Sequence, residues 1–249
     1  MKGLENKVAF ITGAGSGIGR ATAMALASYG AHVAVTDLND EPGQETVDLI
    51  KQQGNEAVFF HLDASNQANI ATTTQHISQT MGPIELAVNN AGIGGKPSPM
   101  HEMEFEHWKK VMDINLSGVF FCMQSELRVM LSNGGGKIVN ISSLAGLNGM
   151  AGGAHYCASK HGVIGLSKTA AQEYGSYNIH VNTVCPGFID TPIIEQVPQE
   201  ILDYSTKTRV TLKRLGQPYE VAETICFLLS DHSSYINGAS INIDGGFMA

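Results

Sequence analysis

The sequence predicts a single doubly wound α/β domain with about seven parallel strands and helices on both faces of the sheet. Seven short runs of β-branched and other apolar residues recur along the chain, separated by segments of about 15 to 30 residues or more. Connections of that length accommodate crossover helices and favour parallel neighbours. Several runs are apolar on both faces, which is typical of strands covered by helices on each side.

No linker or shift in composition divides the 249 residues, so we expect one domain over residues 1–249. The irregular stretch 186–216 contains three prolines and is longer than most connections, which predicts a lid over a substrate site. The predicted strands are residues 7–12, 32–37, 57–63, 84–90, 136–143, 179–187 and 239–246.

Composition excludes several classes of protein. The net charge is −8 and the basic residues are scattered, which disfavours nucleic-acid binding. No apolar run is long enough to span a membrane, and the N-terminus does not resemble a signal peptide. The four cysteines form no CxxC pair and the nine histidines are dispersed, so we expect a cytoplasmic protein with reduced thiols and no metal site.

A glycine-rich stretch, TGAGSGIG, follows the first predicted strand and begins a helix. Glycine lets the chain turn sharply and lets a pyrophosphate approach the backbone, where the helix N-terminus supplies free N–H groups and a positive dipole end. On its own such a loop is also compatible with a simple tight turn. We expect the following residues to contact a dinucleotide: Gly13, Ser16, Gly17, Ile18 and Gly19.

Asp37 ends the second predicted strand, 18 residues after Gly19. A carboxylate there accepts hydrogen bonds from the adenosine ribose hydroxyls and repels a 2′-phosphate. Its neighbours Leu38 and Asn39 are not basic, and we expect no lysine or arginine nearby to accommodate that phosphate. The interpretation therefore favours NAD over NADP, although Asp37 is also compatible with an ordinary turn after a strand.

Two further strand ends carry polar residues. Asp63, followed by Ala64, either accepts a hydrogen bond from the adenine amine or caps the next helix. In NNAG, residues 89–92, the asparagine side chains either tie strand ends together or face the cofactor. We expect the backbone of Asn90, Ala91 and Gly92 to lie against the cofactor in both cases.

Tyr156 and Lys160 are four residues apart on a predicted helix over 155–174, so they share one face. A neighbouring cation favours the phenolate and lowers the pKa of a tyrosine. This predicts a phenol that transfers protons near neutral pH. A Tyr-xxx-Lys pair is common, and by itself it is also typical of an ordinary surface helix.

These motifs together resemble the short-chain dehydrogenase/reductase family, in its compact single-domain subgroup with a Rossmann-type fold. The resemblance extends over nearly the whole chain and is carried by TGAGSGIG, Asp37, Asp63, NNAG, Asn115, Ser143, Tyr156 to Lys160, Pro186-Gly187 and Asp244-Gly-Gly.

The resemblance implies a role for each matching residue. Tyr156 would exchange a proton with the substrate oxygen while hydride moves to or from nicotinamide, and Ser143 would hold and polarise that oxygen. Lys160 would lower the tyrosine pKa and bind the nicotinamide ribose, and Asn115 would keep a water beside the lysine.

The resemblance also places Pro186, Gly187, Ile189 and Thr191 at the carboxamide edge of nicotinamide, with a cap for a lid helix as the alternative for Thr191. It implies a homo-oligomer, with a tetramer favoured. The predicted helix 155–174 has a small-residue face that suits either contact with a second helix or packing on the sheet: Ala158, Gly162 and Gly165.

The predicted substrate walls are residues 93–100, residues 144–155 and the lid from Phe188 onward. They are mostly apolar, which favours a small neutral alcohol or ketone. The first hypothesis is therefore an NAD-dependent secondary-alcohol dehydrogenase. The alternatives are a 3-oxoacyl-carrier-protein reductase and a non-catalytic nucleotide-binding sensor or scaffold.

Overall fold

The computed structural model describes the backbone of residues 1–249 and every side chain except that of Gln196. Its centre is a seven-stranded parallel sheet in the order β3-β2-β1-β4-β5-β6-β7. The predicted α/β doubly wound fold is therefore confirmed. The strands are β1 Val8–Thr12, β2 His32–Asp37, β3 Ala57–His61, β4 Ile84–Asn89, β5 Gly136–Ile141, β6 Ile179–Pro186 and β7 Ser240–Ile243.

Eight α-helices surround the sheet in two layers. One buried apolar cluster packs α1, α2 and α8 on one face, and a second packs α3, α5 and α6 on the other. The helices are α1 Gly17–Ser28, α2 Asp40–Gln52, α3 Gln67–Met81, α4 Phe105–Met112, α5 Val119–Ser132, α6 Ala154–Tyr174, α7 Gln199–Tyr204 and α8 Pro218–Leu229.

The main differences from the predicted boundaries lie at the carboxyl ends of the strands. Only β2 has the predicted limits. The other predicted runs are longer than the strands they contain, and in all of them except the first the last residues leave the sheet as loops at its carboxyl edge. The chain order reverses there between β1 and β4, and ligands of open α/β sheets bind at such a switch point.

The predicted lid, residues 186–216, is partly helical. It contains a 3₁₀ turn over Ile194–Gln196, the short helix α7 and a π turn over Ser205–Arg209. An isolated bridge between Ile189 and Gly216 joins the two ends of the segment. Its base is thus fixed beside the carboxyl ends of β6 and β7.

Two features are absent from the described residues. No helix is long and apolar enough to cross a membrane. No three histidine, cysteine, aspartate or glutamate side chains among those described are grouped to hold a metal ion.

Candidate active site

A cleft of about 410 Å³ follows the carboxyl edge of the sheet from Asp37 to Tyr156. All but two of the predicted site residues line it, and the two exceptions are Gly19 and Asn115. The lining residues that the sequence predicted are Gly13, Ser16, Gly17, Ile18, Asp37, Leu38, Asp63, Ala64, Asn90, Ala91, Gly92, Ser143, Tyr156, Lys160, Pro186, Gly187, Ile189 and Thr191.

Gly19 lies behind the cleft and allows α1 to pack closely on the loop. A Cβ atom at Gly19 would lie 2.1 Å from the carbonyl oxygen of Gly13, which no side chain tolerates. At the mouth of the same loop, Gly17 has φ +51° and its α-carbon faces Thr191. The Ser16 hydroxyl makes no capping bond to α1, and the first turn of that helix contains no acidic residue. The helix N-terminus is therefore suited to a phosphate.

The Asp37 carboxylate is held by the backbone at the end of β2. Gly15 N donates to Asp37 Oδ2 and Asn39 N donates to Asp37 Oδ1, each at 2.9 Å. This orients one oxygen toward the glycine loop and leaves acceptor capacity for ribose hydroxyls.

We expected no basic residue near Asp37 that could accommodate a 2′-phosphate, and Arg20, which follows the glycine loop, does not line the cleft. Arg20 on α1 reaches back to the carbonyl oxygen of Gly15, and it also forms an ion pair with Glu45 and a hydrogen bond to Thr46 Oγ1. The sequence shows Arg20 directly after Gly19, but it did not show that the guanidinium is held by Glu45 and Thr46 of α2, which are 25 and 26 residues away. Its donors are directed at these groups behind the glycine loop.

Asp63 lines the cleft, and the alternative that it caps α3 is wrong. The N-cap is Asn66, whose side chain accepts from Asn69 N, while Asp63 Oδ1 accepts from the backbone N–H of Ser65. Asn66 lies three residues after Asp63, and the sequence alone did not distinguish these two candidates for the N-cap. Asp63 instead orders the turn that brings Ala64 to the cleft.

Asn90 ties the end of β4 to the end of β1. Its side-chain amide donates to the carbonyl oxygens of Thr12 and Gly13, at 3.0 and 2.9 Å. The Thr12 hydroxyl in turn accepts from the backbone N–H groups of Asn90 and Ala91. These bonds hold the wall that is formed by Asn90, Ala91 and Gly92 against the glycine loop.

Ser143, Tyr156 and Lys160 converge at the other end of the cleft. Ser143 follows β5, and its Oγ accepts from Ala145 N at 3.1 Å. The Ser143 hydroxyl also forms a hydrogen bond with the Tyr156 phenol. The Lys160 ammonium lies 5.7 Å from the centre of the Tyr156 ring and donates to Ile141 O at 2.9 Å.

Burial dominates the pKa values of this pair. It raises the pKa of Tyr156, and the hydrogen bond with Ser143 lowers that pKa in part. Burial also lowers the pKa of Lys160, which is 4% exposed, to about 8. The expectation that the pKa of Tyr156 lies below its ordinary value is wrong for this structure, because desolvation of the phenol outweighs the neighbouring groups.

Asn115 is buried one layer behind the cleft, in a π-helical turn over Asp113–Gly118 that joins α4 to α5. Its side chain bonds to both backbone polar groups of Ile93: Oδ1 accepts from Ile93 N at 2.9 Å, and Nδ2 donates to Ile93 O at 2.8 Å. A Cβ atom on Gly92 would lie 3.3 Å from Asn115 Oδ1 and 3.5 Å from Lys160 Nζ. Asn115 and Lys160 therefore both lie beside Gly92 in the cleft wall.

Thr191 lines the cleft, and the alternative that it caps a lid helix is wrong. The 3₁₀ turn of the lid begins at Ile194, and the Thr191 hydroxyl donates to Ile189 O instead. Thr191 Cγ2 would lie 3.1 Å from a Cβ on Gly17, so the base of the lid contacts the glycine loop.

The C-terminal residues pack on the base of the lid and on the 144–155 segment, which the sequence did not indicate. Phe247 packs edge-on against Phe188 at the base of the lid, and Arg209 stacks over the Phe247 ring at 4.0 Å. Met248 contacts Asn148 of the opposite wall. Three segments distant in sequence thus meet here, and only the tertiary structure shows it.

His155 and Cys157 flank Tyr156 on α6. His155 is buried, accepting from Tyr156 N through Nδ1 and lying 3.2 Å from Lys96 O through Nε2. Cys157 is half-buried and free. The hydrogen bonds of His155 tie the start of α6 to the 93–100 wall, which is a structural contribution.

Comparison with known proteins identifies the family. The family model described as enoyl-(acyl carrier protein) reductase matches residues 13–248. The chain is 42% identical to the cyclohexanol dehydrogenase of Acinetobacter sp. (strain SE19), with 98% of this chain and 95% of that protein covered. It is 40% identical to the 3-oxoacyl-[acyl-carrier-protein] reductase of Thermotoga maritima, with 98% and 99% covered.

Solved structures agree with this result. Levodione reductase is 35% identical with a TM-score of 0.94 and 97% of each chain covered. A putative NAD(P)-dependent gluconate 5-dehydrogenase from Beutenbergia cavernae, with NADP bound at low occupancy, is 33% identical with a TM-score of 0.92 and 98% of each chain covered.

These findings define an oxidoreductase of the kind that uses a nicotinamide cofactor. The chain belongs to the short-chain dehydrogenase/reductase family, which confirms the resemblance seen in its motifs.

Proposed function

We propose that the protein is an NAD-dependent oxidoreductase that interconverts a secondary alcohol and a ketone. The observation that carries the proposal is one continuous cleft with Asp37 at one end and Ser143, Tyr156 and Lys160 at the other. A nicotinamide cofactor bound along this cleft supplies the hydride chemistry.

The residues of the chain account for the proton. In alcohol oxidation the Tyr156 phenolate accepts the hydroxyl proton of the substrate, and in ketone reduction the phenol returns it. Ser143 donates a hydrogen bond from its hydroxyl to the substrate oxygen and stabilises the negative charge that develops there. Lys160 favours the phenolate by its charge and binds ribose hydroxyls, and Asn115 keeps the adjacent wall and a water beside Lys160 in place.

NAD is favoured over NADP because the Asp37 carboxylate faces the cleft with acceptor capacity remaining. Arg20 does not offset this charge, because its guanidinium is engaged by Gly15 O and Glu45. The other predicted cofactor contacts, from Gly13 to Thr191, remain part of this proposal.

The substrate is proposed to be a small neutral alcohol or ketone, with a cyclic alcohol favoured by the similarity to a cyclohexanol dehydrogenase. Two lid cations are paired with carboxylates, Lys207 with Asp203 and Arg214 with Glu220, so they provide no strong site for an anionic substrate.

A 3-oxoacyl-carrier-protein reductase is the second candidate, favoured by the 40% identity to the Thermotoga maritima enzyme. Asp37 disfavours the NADPH that this reaction ordinarily uses, and the 93–100 wall lacks the arginine of such reductases. A non-catalytic nucleotide sensor is the third alternative, and the intact set of four polar residues around the cleft opposes it.

The proposal extends to assembly and location. Residues 1–249 form one domain with 186–216 as its lid. A surface cleft of about 370 Å³ on α5 and α6 leaves apolar side chains and the small-residue face of α6 without cover, which supports a homo-oligomer, and we favour a tetramer. The residues that line this surface are Leu116, Ser117, Phe120, Phe121, Gly162 and Leu166.

The four cysteines are free, which supports a cytoplasmic location.

The test is the rate of NADH formation from NAD with a panel of secondary alcohols that includes cyclohexanol, with Tyr156→Phe as the inactive control. Turnover of an alcohol that Tyr156→Phe abolishes while NAD binding persists supports the proposal. Activity confined to NADPH and acyl thioesters supports the second candidate, and tight NAD binding without turnover of any alcohol or ketone supports the sensor.

A further inference from the structure

A row of buried polar side chains crosses the sheet immediately below the cleft. Asn89 on β4 and Asn140 on β5 are register partners, and the row continues through Thr183 on β6 to Ser240 on β7. Asn89 Nδ2 donates to Asn140 Oδ1 at 2.9 Å, and Asn140 Nδ2 donates to Ser167 Oγ on α6 at 2.8 Å. The next residues of β4 and β5 lead directly into the cleft.

Glu126 on α5 extends into this row and is 0% exposed. Asn89 Nδ2 donates to Glu126 Oε2 at 3.1 Å. Among the described side chains, no lysine, arginine or histidine forms an ion pair with this carboxyl. A buried carboxylate without a cation is strongly disfavoured, so the protonated form is expected.

The groups that face Glu126 are almost all uncharged. Its titratable neighbour on α5 is the buried Cys122 thiol, whose pKa is raised by burial and by Glu126. The buried residues of α3 are Ile70, Thr73, Thr74 and Ile77, none of which titrates, and β5 and α6 present Asn140 and Ser167. Lys160 on α6 is turned toward Ile141 O in the cleft.

The unpartnered atoms of the row point to the same protonated form. Four buried side-chain atoms have no hydrogen-bond partner in the described part of the chain, and all belong to this row or to Glu126: Asn89 Oδ1, Glu126 Oε1, Thr183 Oγ1 and Ser240 Oγ.

Two of these atoms, Asn89 Oδ1 and Glu126 Oε1, are on side chains that one hydrogen bond already joins. Both are acceptors if Glu126 is ionised, so neither satisfies the other. A protonated Oε1 is a donor, and it satisfies Asn89 Oδ1 while Oε2 continues to accept from Asn89 Nδ2.

We propose that Glu126 is a positioning residue that works as a neutral acid, pairing through two hydrogen bonds with the Asn89 amide and so holding the wall of the cleft formed by Asn90, Ala91 and Gly92. Loss of its proton at alkaline pH removes one of the two bonds and sets a carboxylate oxygen against Asn89 Oδ1. Dinucleotide binding weakens as a result. The proposal rests on the proposed function in one respect: dinucleotide binding is the property that detects a change in this wall of the cleft.

The titration of Glu126 fits this arrangement and gives the sign of its effect on stability. Burial raises the pKa of Glu126 to about 8. Because the folded pKa lies above the unfolded one, the contribution of this group to stability is fully present below about pH 4 and declines until about pH 8.

The first test detects the proton directly. Infrared spectra of wild type and Glu126→Gln at pH 7 are subtracted, and Glu173→Gln, which changes an exposed carboxylate on α6, is the matched control. We expect the carbonyl band of a protonated carboxylic acid in the Glu126→Gln difference and not in the Glu173→Gln difference. A carboxylate band for Glu126 at pH 7 would overturn the proposal, whatever the protein catalyses.

The second test uses the pH dependence of stability and binding. Glutamine has the donor and acceptor of the neutral acid, so Glu126→Gln should fold and should lose the titration. The ratio of wild-type to Glu126→Gln unfolding constants, measured in urea, should rise by roughly tenfold per pH unit between about pH 5 and 8.

Between pH 7 and pH 9.5 the Kd for NAD should weaken severalfold more in wild type than in Glu126→Gln, because the titration of Lys160 affects both proteins alike. A constant ratio of unfolding constants, or parallel Kd profiles, would contradict the proposal. Absence of NAD binding in both proteins would refute the proposed cofactor instead, while the infrared and unfolding results would still decide the state of Glu126.

Discussion

Replacing Lys160 with methionine tests the electrostatic basis of the proposed proton transfer. The ammonium is 5.7 Å from the centre of the Tyr156 ring. At that separation two unit charges interact by about 3 kcal/mol with an effective dielectric constant of about 20. This corresponds to a change of about 2 in the pKa of the phenol. Removing the ammonium adds this amount to the increase that burial already causes.

The assay is the pH profile of kcat for alcohol oxidation at saturating NAD. The rate should rise with pH as Tyr156 loses its proton, and the midpoint of that rise should lie higher in Lys160→Met than in wild type, by up to about 2 pH units, the difference that applies when Lys160 is fully charged. Because the pKa of Lys160 is lowered to about 8, the wild-type profile reflects a coupled pair of groups rather than either one alone.

The matched control is Lys168→Met, which removes an exposed lysine from the same helix and should leave the midpoint unchanged. A Lys160→Met enzyme that keeps both the wild-type rate and the wild-type midpoint would refute the role of the cation.

Three further results are expected. Asp37→Ala should raise the ratio of kcat/KM for NADP to that for NAD at least tenfold, because the charge that repels a 2′-phosphate is lost, and an unchanged ratio would contradict the proposed cofactor preference. Gly19→Ala should abolish NAD binding or prevent folding because its Cβ would lie 2.1 Å from Gly13 O, whereas Gly149→Ala, with open space around its Cβ, should bind NAD normally. Glu220 accepts from Gln217 N at the start of α8 and its pKa is lowered to about 2 by the Arg214 hydrogen bonds, so Glu220→Gln should cost about 1 kcal/mol in urea unfolding at pH 6. This difference should diminish between about pH 4.5 and about pH 2, because the unfolded chain takes up the proton before the folded protein does, and a difference independent of pH would argue against the cap.

The features that the sequence predicted well depend on local patterns. The limits of β2, and Asp37 at its end, follow from an apolar run with a polar terminus. The glycine loop and the pairing of Tyr156 with Lys160 follow from fixed spacings next to a strand or on a helix. Such signals are complete within one segment, so no knowledge of the tertiary structure was needed.

The features that it did not predict depend on contacts between distant segments. Arg20 meets Glu45 only because α2 packs beside α1, and Phe247 meets Phe188 only when the C-terminus folds onto the lid. The pKa of Tyr156 was predicted in the wrong direction because the degree of burial of a phenol is not encoded in the spacing of its neighbours.

The π turn over Asp113–Gly118 has a consequence for how α4 and α5 face their surroundings. A π turn holds one residue more than the regular ladder, which changes the angular phase of the helix by about 100°. With this offset α4 packs on α6, while α5 packs on α3 and β4. Deleting a single residue from the turn would restore the regular winding and rotate Asn115 away from Ile93. The orientation of that amide therefore depends on the number of residues in the turn as well as on their identity.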